Sequence, residues 1–205
     1  MTSASHGGVR MPAVFIGHGN PMNAIERNVY TTAWQDLGAT LPRPQAILSI
    51  SAHWYVPGGR VTANEHPPTI HDFGGFPRPL YRADYPAPGS PKLAQRAAEL
   101  LAPTSITLDN RWGLDHGTWS VLVHLFPKAD MPVVQLGLDE TLTAAEHYEL
   151  AGRRRLTPDG FSVPLSSLAH LPAPAASPCL TSTAHSRTPS PPCGELRPGA
   201  QPSIG

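Results

Sequence analysis

The stretch Ala46-Ile47-Leu48-Ser49-Ile50-Ser51-Ala52-His53 is an apolar β-type run that ends in a histidine. Comparable short runs occur at residues 14–16, 106–108 and 132–138, and helical patterns separate them along the chain. Strands that alternate with helices are typical of βαβ units, which form parallel sheets covered by helices. The sequence therefore predicts an α/β fold with a mainly parallel sheet flanked by helices.

The helix predictions rest on capping signals and on apolar spacing. A helix over residues 24–41 is predicted after Asn23 as N-cap, and another over 92–101 after Ser90 and a first-turn proline. A short apolar helix is expected at 119–126. Thr143 and Glu146 form a capping-box pattern that predicts a helix through Leu150.

Charge and composition exclude several kinds of partner. The formal net charge is +0, with no basic cluster that would attract nucleic acid or an anionic membrane. Residues 1–10 lack the apolar run of a signal peptide, and no stretch is apolar for the roughly 18 residues of a membrane span. We therefore expect a soluble, cytoplasmic protein with a small-molecule partner.

The composition changes at about Arg153. From there to the end the chain is rich in Pro, Ser, Thr and Ala, contains no lysine, and carries both cysteines, Cys179 and Cys193. Frequent proline interrupts helices and central strands, and little apolar surface is available to offset the entropy of ordering. The sequence predicts a folded domain over residues 1–152 and a disordered tail over 153–205, either a natural low-complexity extension or a product of a shifted reading frame.

Two histidines follow predicted strands directly. His18 lies between two glycines after the first strand, and His53 ends the quoted stretch. Parallel strands present their carboxyl ends at one edge of the sheet, where ligands bind in α/β proteins. We expect the two imidazoles at adjacent strand ends, with nitrogens within about 5 Å so that they can share one ion. Structural or capping roles remain the alternative for each residue.

A third histidine, His116, follows Asp115 in a glycine-flanked segment before the helix predicted at 119–126. An imidazole there suits proton transfer near neutral pH, and a polar neighbour can fix its tautomer. The alternative is a helix-capping loop in which Asp115 or Thr118 is the cap.

Together these segments resemble the class III extradiol ring-cleavage dioxygenases, in particular their 4,5-DOPA dioxygenase branch. The resemblance is carried in order by Gly17-His18-Gly19-Asn20-Pro21, Ser51-Ala52-His53-Trp54, Asp72-Phe73-Gly74-Gly75-Phe76-Pro77, Tyr85-Pro86-Ala87-Pro88-Gly89, Leu114-Asp115-His116-Gly117-Thr118-Trp119 and Pro132-Val133-Val134-Gln135-Leu136. One departure is His71, where the family pattern has a tyrosine, and we place His71 near the pocket mouth rather than among the ligands.

The resemblance implies a metal-dependent reaction in which a catechol, DOPA-like or another aromatic diol, is opened by dioxygen. It assigns His18 and His53 as metal ligands and His116 as the catalytic acid/base. Fe(II) is the expected catalytic metal, and Zn(II) is a possible occupant. Relatives carry a further ligand histidine and a further active-site histidine beyond the helix that ends near Leu150, and His170 and His185 lack those contexts.

The residues allow three functional hypotheses. The chain is a ring-cleavage dioxygenase, impaired by the altered tail; or an inactive pseudoenzyme or broken gene product with a partial metal site; or a zinc hydrolase that uses the same histidines. The hydrolase explains the histidines but not the other matching segments. Oxygen uptake with a catechol distinguishes the first hypothesis, and ester or phosphoester turnover distinguishes the third.

We predict that the tail from about Arg153 is a frame-shifted translation. The βα pattern stops in mid-helix and is replaced by Pro, Ser, Ala and Arg, as GC-rich codons read out of frame would give. Sequencing the DNA around the codons for Leu150 to Leu156 should reveal, in another frame, a glycine-rich strand followed by a His-Asn pair and a later histidine. A genuine extension is indicated instead if neither alternative frame encodes such a continuation.

Overall fold

The computed structural model describes residues 11–152 and a strand at 165–168. Six strands form one sheet in the order β1-β6-β2-β5-β3-β4. The strands are β1 (Val14–Phe15), β2 (Ile47–Val56), β3 (Gly59–Thr62), β4 (Ile106–Asp109), β5 (Val133–Asp139) and β6 (Leu165–Leu168). The helices are α1 (Val29–Thr40), α2 (Pro91–Leu100), α3 (His116–Leu125) and α4 (Ala144–Gly152), with 3-10 turns at Pro21–Ala24 and Leu80–Arg82.

The predicted α/β class is confirmed. Every strand pair is parallel except β3 with β5, which meet antiparallel at Val61 and Leu136. β3 was not predicted from the sequence: it begins at the second glycine of Pro57-Gly58-Gly59, and its four residues are too few to show an alternation. No helix in the described part of the chain is long and apolar enough to cross a bilayer.

Alternate residues of the central strands face opposite layers. Ile47 and Val133 lie in a core cluster with α1 and α3, whereas Leu48 and Val134 pack with Leu93 of α2 on the other face. Since side chains alternate along a strand, the apolar residues on both sides of β2 and β5 fit strands covered on both faces. β2 and β5 therefore form the centre of a helix–sheet–helix arrangement.

Two predicted helix starts are confirmed by their caps. The Ser90 side chain accepts a hydrogen bond from the Leu93 N–H ahead of the first-turn proline of α2. At α4, the Thr143 N–H donates to the Glu146 carboxylate, and the Glu146 N–H donates back to the Thr143 hydroxyl. Both signals are local in sequence, so they identify the helix starts without tertiary information.

The predicted helix at residues 24–41 begins later, at Val29. Asn28 is its N-cap and accepts from the N–H groups of Tyr30 and Thr31. Asn23, the predicted cap, is buried instead, where its side chain donates to the His18 carbonyl. Asn23 and Asn28 are equally good caps by residue type. Asn28 is the N-cap of α1, and the Asn23 side chain instead holds the loop after β1.

The prediction of a tail without structure from Arg153 lies mostly outside the described residues. Of that segment, the structure describes β6, which pairs in parallel with β1 on one side and β2 on the other. Its run Leu165-Ser166-Ser167-Leu168 contains no proline, so all four residues can take part in strand pairing. For these four residues, the prediction of disorder is corrected to a strand. The division into domains at residue 152 stays a prediction.

We predict that Gly38→Ala destabilises the protein by roughly 1–3 kcal/mol, measured by chemical denaturation. A Cβ at Gly38 would lie 2.1 Å from the Leu125 carbonyl oxygen, where α1 meets the end of α3. Without that clash, alanine in a helix would add about 1 kcal/mol of stability. Gly74→Ala is the control, because no atom lies within 4 Å of its added Cβ. A Gly38→Ala variant as stable as the parent would contradict the described packing.

Candidate metal centre

The three predicted site histidines lie together. The Nε2 atoms of His18 and His53 are 2.8 Å apart. The His116 ring centroid lies 4.0 Å from that of His53 and 5.0 Å from that of His18. One ring nitrogen from each residue lies within 4.8 Å of the others. Imidazole clusters of this kind bind divalent transition metals, so the group can hold an ion.

His18 is held in the loop after β1 through its backbone. Its carbonyl accepts from the Asn23 side chain, whose own amide oxygen accepts from Asn28, the N-cap of α1. The Asn23 carbonyl in turn accepts from Nε2 of His124 on α3. These contacts tie the His18 loop to both helices of one layer, and the His18 side chain is buried.

His53 lies at an irregularity inside β2. The pairing of β2 with β5 shifts between Ser51 and Tyr55, because residues 52–54 of β2 are bulged out of register. Bulges redirect side chains and often lie next to active sites. His53 is therefore displaced from the regular pleat toward α3, and a Cβ on Gly117 would approach the His53 ring to 2.6 Å. The glycine after His116 leaves the space that His53 fills.

The sheet order corrects one expectation. β6 lies between β1 and β2, so the two histidine-bearing strands are not adjacent. Neighbouring strands are about 4.8 Å apart, which puts β1 and β2 nearly 10 Å from each other. The loop after β1 and the bulge in β2 cross that gap, and the nitrogens still come within the expected distance.

His116 is the first residue of α3, and Asp72 holds it at two points. One Asp72 carboxylate oxygen accepts from the His116 backbone N–H at 2.9 Å and from its Nδ1 at 2.8 Å. The other Asp72 oxygen lies 4.0 Å from Nδ1 of His53. Because an ionised carboxylate only accepts hydrogen bonds, the His116 proton sits on Nδ1 and Nε2 carries the lone pair.

Burial by itself would raise the pKa of Asp72, but the hydrogen bonds from the His116 side chain and backbone outweigh it and lower that pKa. Asp72 is thus ionised at neutral pH. Its partnership with His116 was not predicted, although Asp72 opens one of the segments that carry the family resemblance. Asp115 is adjacent to His116 in sequence, but Asp72, 44 residues away, is the carboxylate that contacts the imidazole.

Asp115 has a structural role. It is the N-cap of α3, and its carboxylate accepts from the Ser51 hydroxyl at 2.7 Å and the Gln135 amide at 2.6 Å. The Gln135 side-chain oxygen accepts from the Asp115 N–H. Complete burial raises the pKa of Asp115 to about 6, with the hydrogen bonds opposing that rise. This network connects β2, β5 and the start of α3 directly beneath the histidines.

Aromatic side chains line one side of the cluster. The Phe73 ring meets the His116 ring edge to face, and Phe76 and Tyr81 pack on Phe73. His71 packs among these rings and donates from Nε2 to the Ala83 carbonyl, apart from the other three histidines. This arrangement agrees with its assignment to the surroundings of the site.

Comparison with known proteins places these residues in a family. The sequence profile described as "Catalytic LigB subunit of aromatic ring-opening dioxygenase" matches residues 5–153. The chain is 62% identical over 146 residues to a 4,5-DOPA dioxygenase extradiol of Escherichia coli, covering 71% of this chain and 54% of the relative. A 4,5-DOPA dioxygenase extradiol of Beta vulgaris is 39% identical over 173 residues, covering 80% of this chain and 64% of the relative.

A solved structure agrees with these matches. The crystal structure of an uncharacterized Escherichia coli K12 protein, JW3007, superposes with a TM-score of 0.63 at 50% identity, covering 77% of this chain and 59% of that one. The chain thus spans between half and two thirds of the length of the relatives it matches. Since the profile covers most of the chain, including all three clustered histidines, this protein belongs to the family of the catalytic LigB subunit of aromatic ring-opening dioxygenases.

Proposed function

We propose that this chain carries the metal- and catechol-binding part of an extradiol dioxygenase site, with its ring-cleavage activity impaired. The observation that carries the proposal is the approach of His18 Nε2 to within 2.8 Å of His53 Nε2, with His116 against both rings, in a chain of this family. The relatives named for a 4,5-DOPA dioxygenase activity suggest a DOPA-like catechol as substrate.

His18 and His53 are the proposed ligands. Two nitrogens 2.8 Å apart can both bind one ion at about 2.0–2.1 Å, so the pair fits a divalent metal. Imidazole suits both Fe(II), the proposed catalytic metal, and Zn(II), a possible occupant. When bound, Fe(II) would supply a common binding point for the catechol oxygens and dioxygen.

His116 is the proposed acid/base. Asp72 fixes the proton on Nδ1, which leaves Nε2 free to accept a proton from a catechol hydroxyl. The imidazolium formed in that step is stabilised by the ionised Asp72 carboxylate. The edge of Phe73 restricts the His116 ring and offers an apolar face to an aromatic substrate. The chain itself thereby provides orientation and proton transfer.

The proposed impairment rests on the part of the chain beyond residue 152. The profile match ends at residue 153, where the composition also changes. By the family resemblance, a further ligand and a further acid/base histidine belong to that later part. Two imidazoles alone should bind Fe(II) weakly and leave its geometry undefined. If the loss of ring-cleavage activity is complete, the chain is an inactive pseudoenzyme. The cytoplasmic location also stays a prediction.

We expect the chain to bind catechols only when a metal is present. Adding 4-nitrocatechol to the chain with Zn(II) should shift the absorption spectrum of the probe, because both catechol oxygens would bind the ion. His18→Ala or His53→Ala should remove the shift, and His66→Ala, at an exposed position, should leave it unchanged. A shift of equal size in His18→Ala would contradict the assigned site.

We expect ring cleavage to be slower by at least about 100-fold than in the Escherichia coli relative, since a positioned acid/base alone contributes 10²–10⁴-fold. Oxygen uptake with L-DOPA, measured for both proteins after anaerobic loading with Fe(II), provides the comparison. A rate equal to that of the relative would disprove the impairment, and His170 or His185 would then have to be tested as a replacement ligand.

A further inference from the structure

We infer that in the substrate-free chain His116 is itself a metal ligand, giving a three-imidazole site of His18, His53 and His116 in which Asp72 orients the His116 ring. The inference rests on the proposed metal binding at His18 and His53. It changes the role of His116 in the resting state, because a nitrogen that binds an ion cannot accept a proton at the same time.

The first support is the orientation of the rings. His53 directs Nε2 toward His18, and its Nδ1 faces Asp72 at 4.0 Å. His116 also directs Nδ1 toward Asp72, at 2.8 Å, so its Nε2 lies on the opposite side of the ring. Asp72 thus makes a hydrogen bond to the His116 ring and lies near the His53 ring beyond hydrogen-bond distance. Metal-bound histidines usually donate their second ring N–H to a carboxylate or carbonyl, which fixes the ligating tautomer.

The second support is proximity. One nitrogen from each ring lies within 4.8 Å of the other two. Two nitrogens that bind one ion at about 2.1 Å are at most about 4.2 Å apart, so the cluster closes on an ion with a ring movement of about 1 Å. No other group of three such side chains is found among the residues that the structure describes.

The third support is that the backbone of His116 is fixed next to His18 and His53. Its backbone N–H is fixed by Asp72, and the preceding Asp115 is anchored to Ser51 and Gln135. A ligand on a rigid helix start loses little entropy on binding. Three protein nitrogens would leave room on the ion for further ligands, as in catalytic zinc sites, which have three protein ligands and can expand their coordination.

Titration of the 205-residue chain with Co(II), followed by visible absorption, tests the inference. We expect one ion per chain, with affinity lowered about tenfold or more by His116→Ala and by Asp72→Asn. His66→Ala is the matched control for an exposed histidine, and Asp109→Asn for a carboxylate that caps backbone N–H groups away from the site. Both controls, and a His170→Ala/His185→Ala double variant, should bind Co(II) with the same affinity as the parent chain.

The outcomes separate the two proposals. If His18→Ala loses affinity while His116→Ala keeps both the affinity and the spectrum of the parent, the three-imidazole site is wrong and the proposed two-ligand site stands. If the parent binds no Co(II), both are wrong. Loss of affinity in the double variant would also overturn the inference, because the third ligand would then lie beyond residue 168.

Should His116→Ala fail to fold, imidazole ¹⁵N spectra of the parent chain decide the question. Zn(II) should move the ring resonances of three histidines, and one of them should be His116 with Nδ1 protonated before and after addition. Movement of the His18 and His53 resonances alone would overturn the inference.

Discussion

The buried carboxylate of Asp115 is the contact on which the site depends. It joins the hydroxyl of Ser51 on β2, the amide of Gln135 on β5 and the first turn of α3. A buried carboxylate without partners would be too costly, and here two side chains and a backbone N–H compensate it. Because each partner comes from a different element, the relative position of β2, β5 and α3 is fixed at one point.

That point lies directly below the histidines. Along β2, alternate residues on the α3 face are Ile47, Ser49 and Ser51, and the bulge that follows turns His53 toward α3 as well, so the face changes from apolar to polar toward the site. Ile47 packs in the core, Ser49 contacts the Thr118 hydroxyl, and Ser51 contacts Asp115. Asp115 and His116 are neighbours in sequence with opposite orientations: the first faces the sheet and the second faces Asp72. The serines of β2 thus join the apolar core to the histidine cluster through their hydrogen bonds to α3.

Much of the fold could be predicted because its signals are local. The central strands β2 and β5 are recognisable as mostly apolar β-type runs, and the caps of α2 and α4 are complete within four residues. The start of α1 could not be predicted, since Asn23 and Asn28 have the same capping ability and only the tertiary contact of Asn23 with His18 distinguishes them. β3 is too short to show a pattern, and its antiparallel contact with β5 depends on the sheet as a whole.

The site was predictable to a similar extent. Histidines after parallel strands indicate one sheet edge, and the structure brings His18, His53 and His116 together. The role of Asp72 could not be inferred from spacing, because 44 residues separate it from His116 and a loop brings them together. The insertion of β6 between β1 and β2 was also beyond sequence reasoning, since it joins strands that are distant along the chain and lies in a proline-rich segment.

The position of β6 divides the site into two parts with different supports. His53 and His116 are fixed by β2, β5, α3 and Asp72, all within residues 47–139. β1, in contrast, pairs with β6 alone among the described strands, so the strand before His18 depends on residues beyond 152. His18 has a second anchor in Asn23, which Asn28 and His124 hold from two helices. Residues after 152 therefore contribute to the position of β1, whereas the Asn23 contacts and the buried Ile16 hold the His18 loop from within residues 11–152.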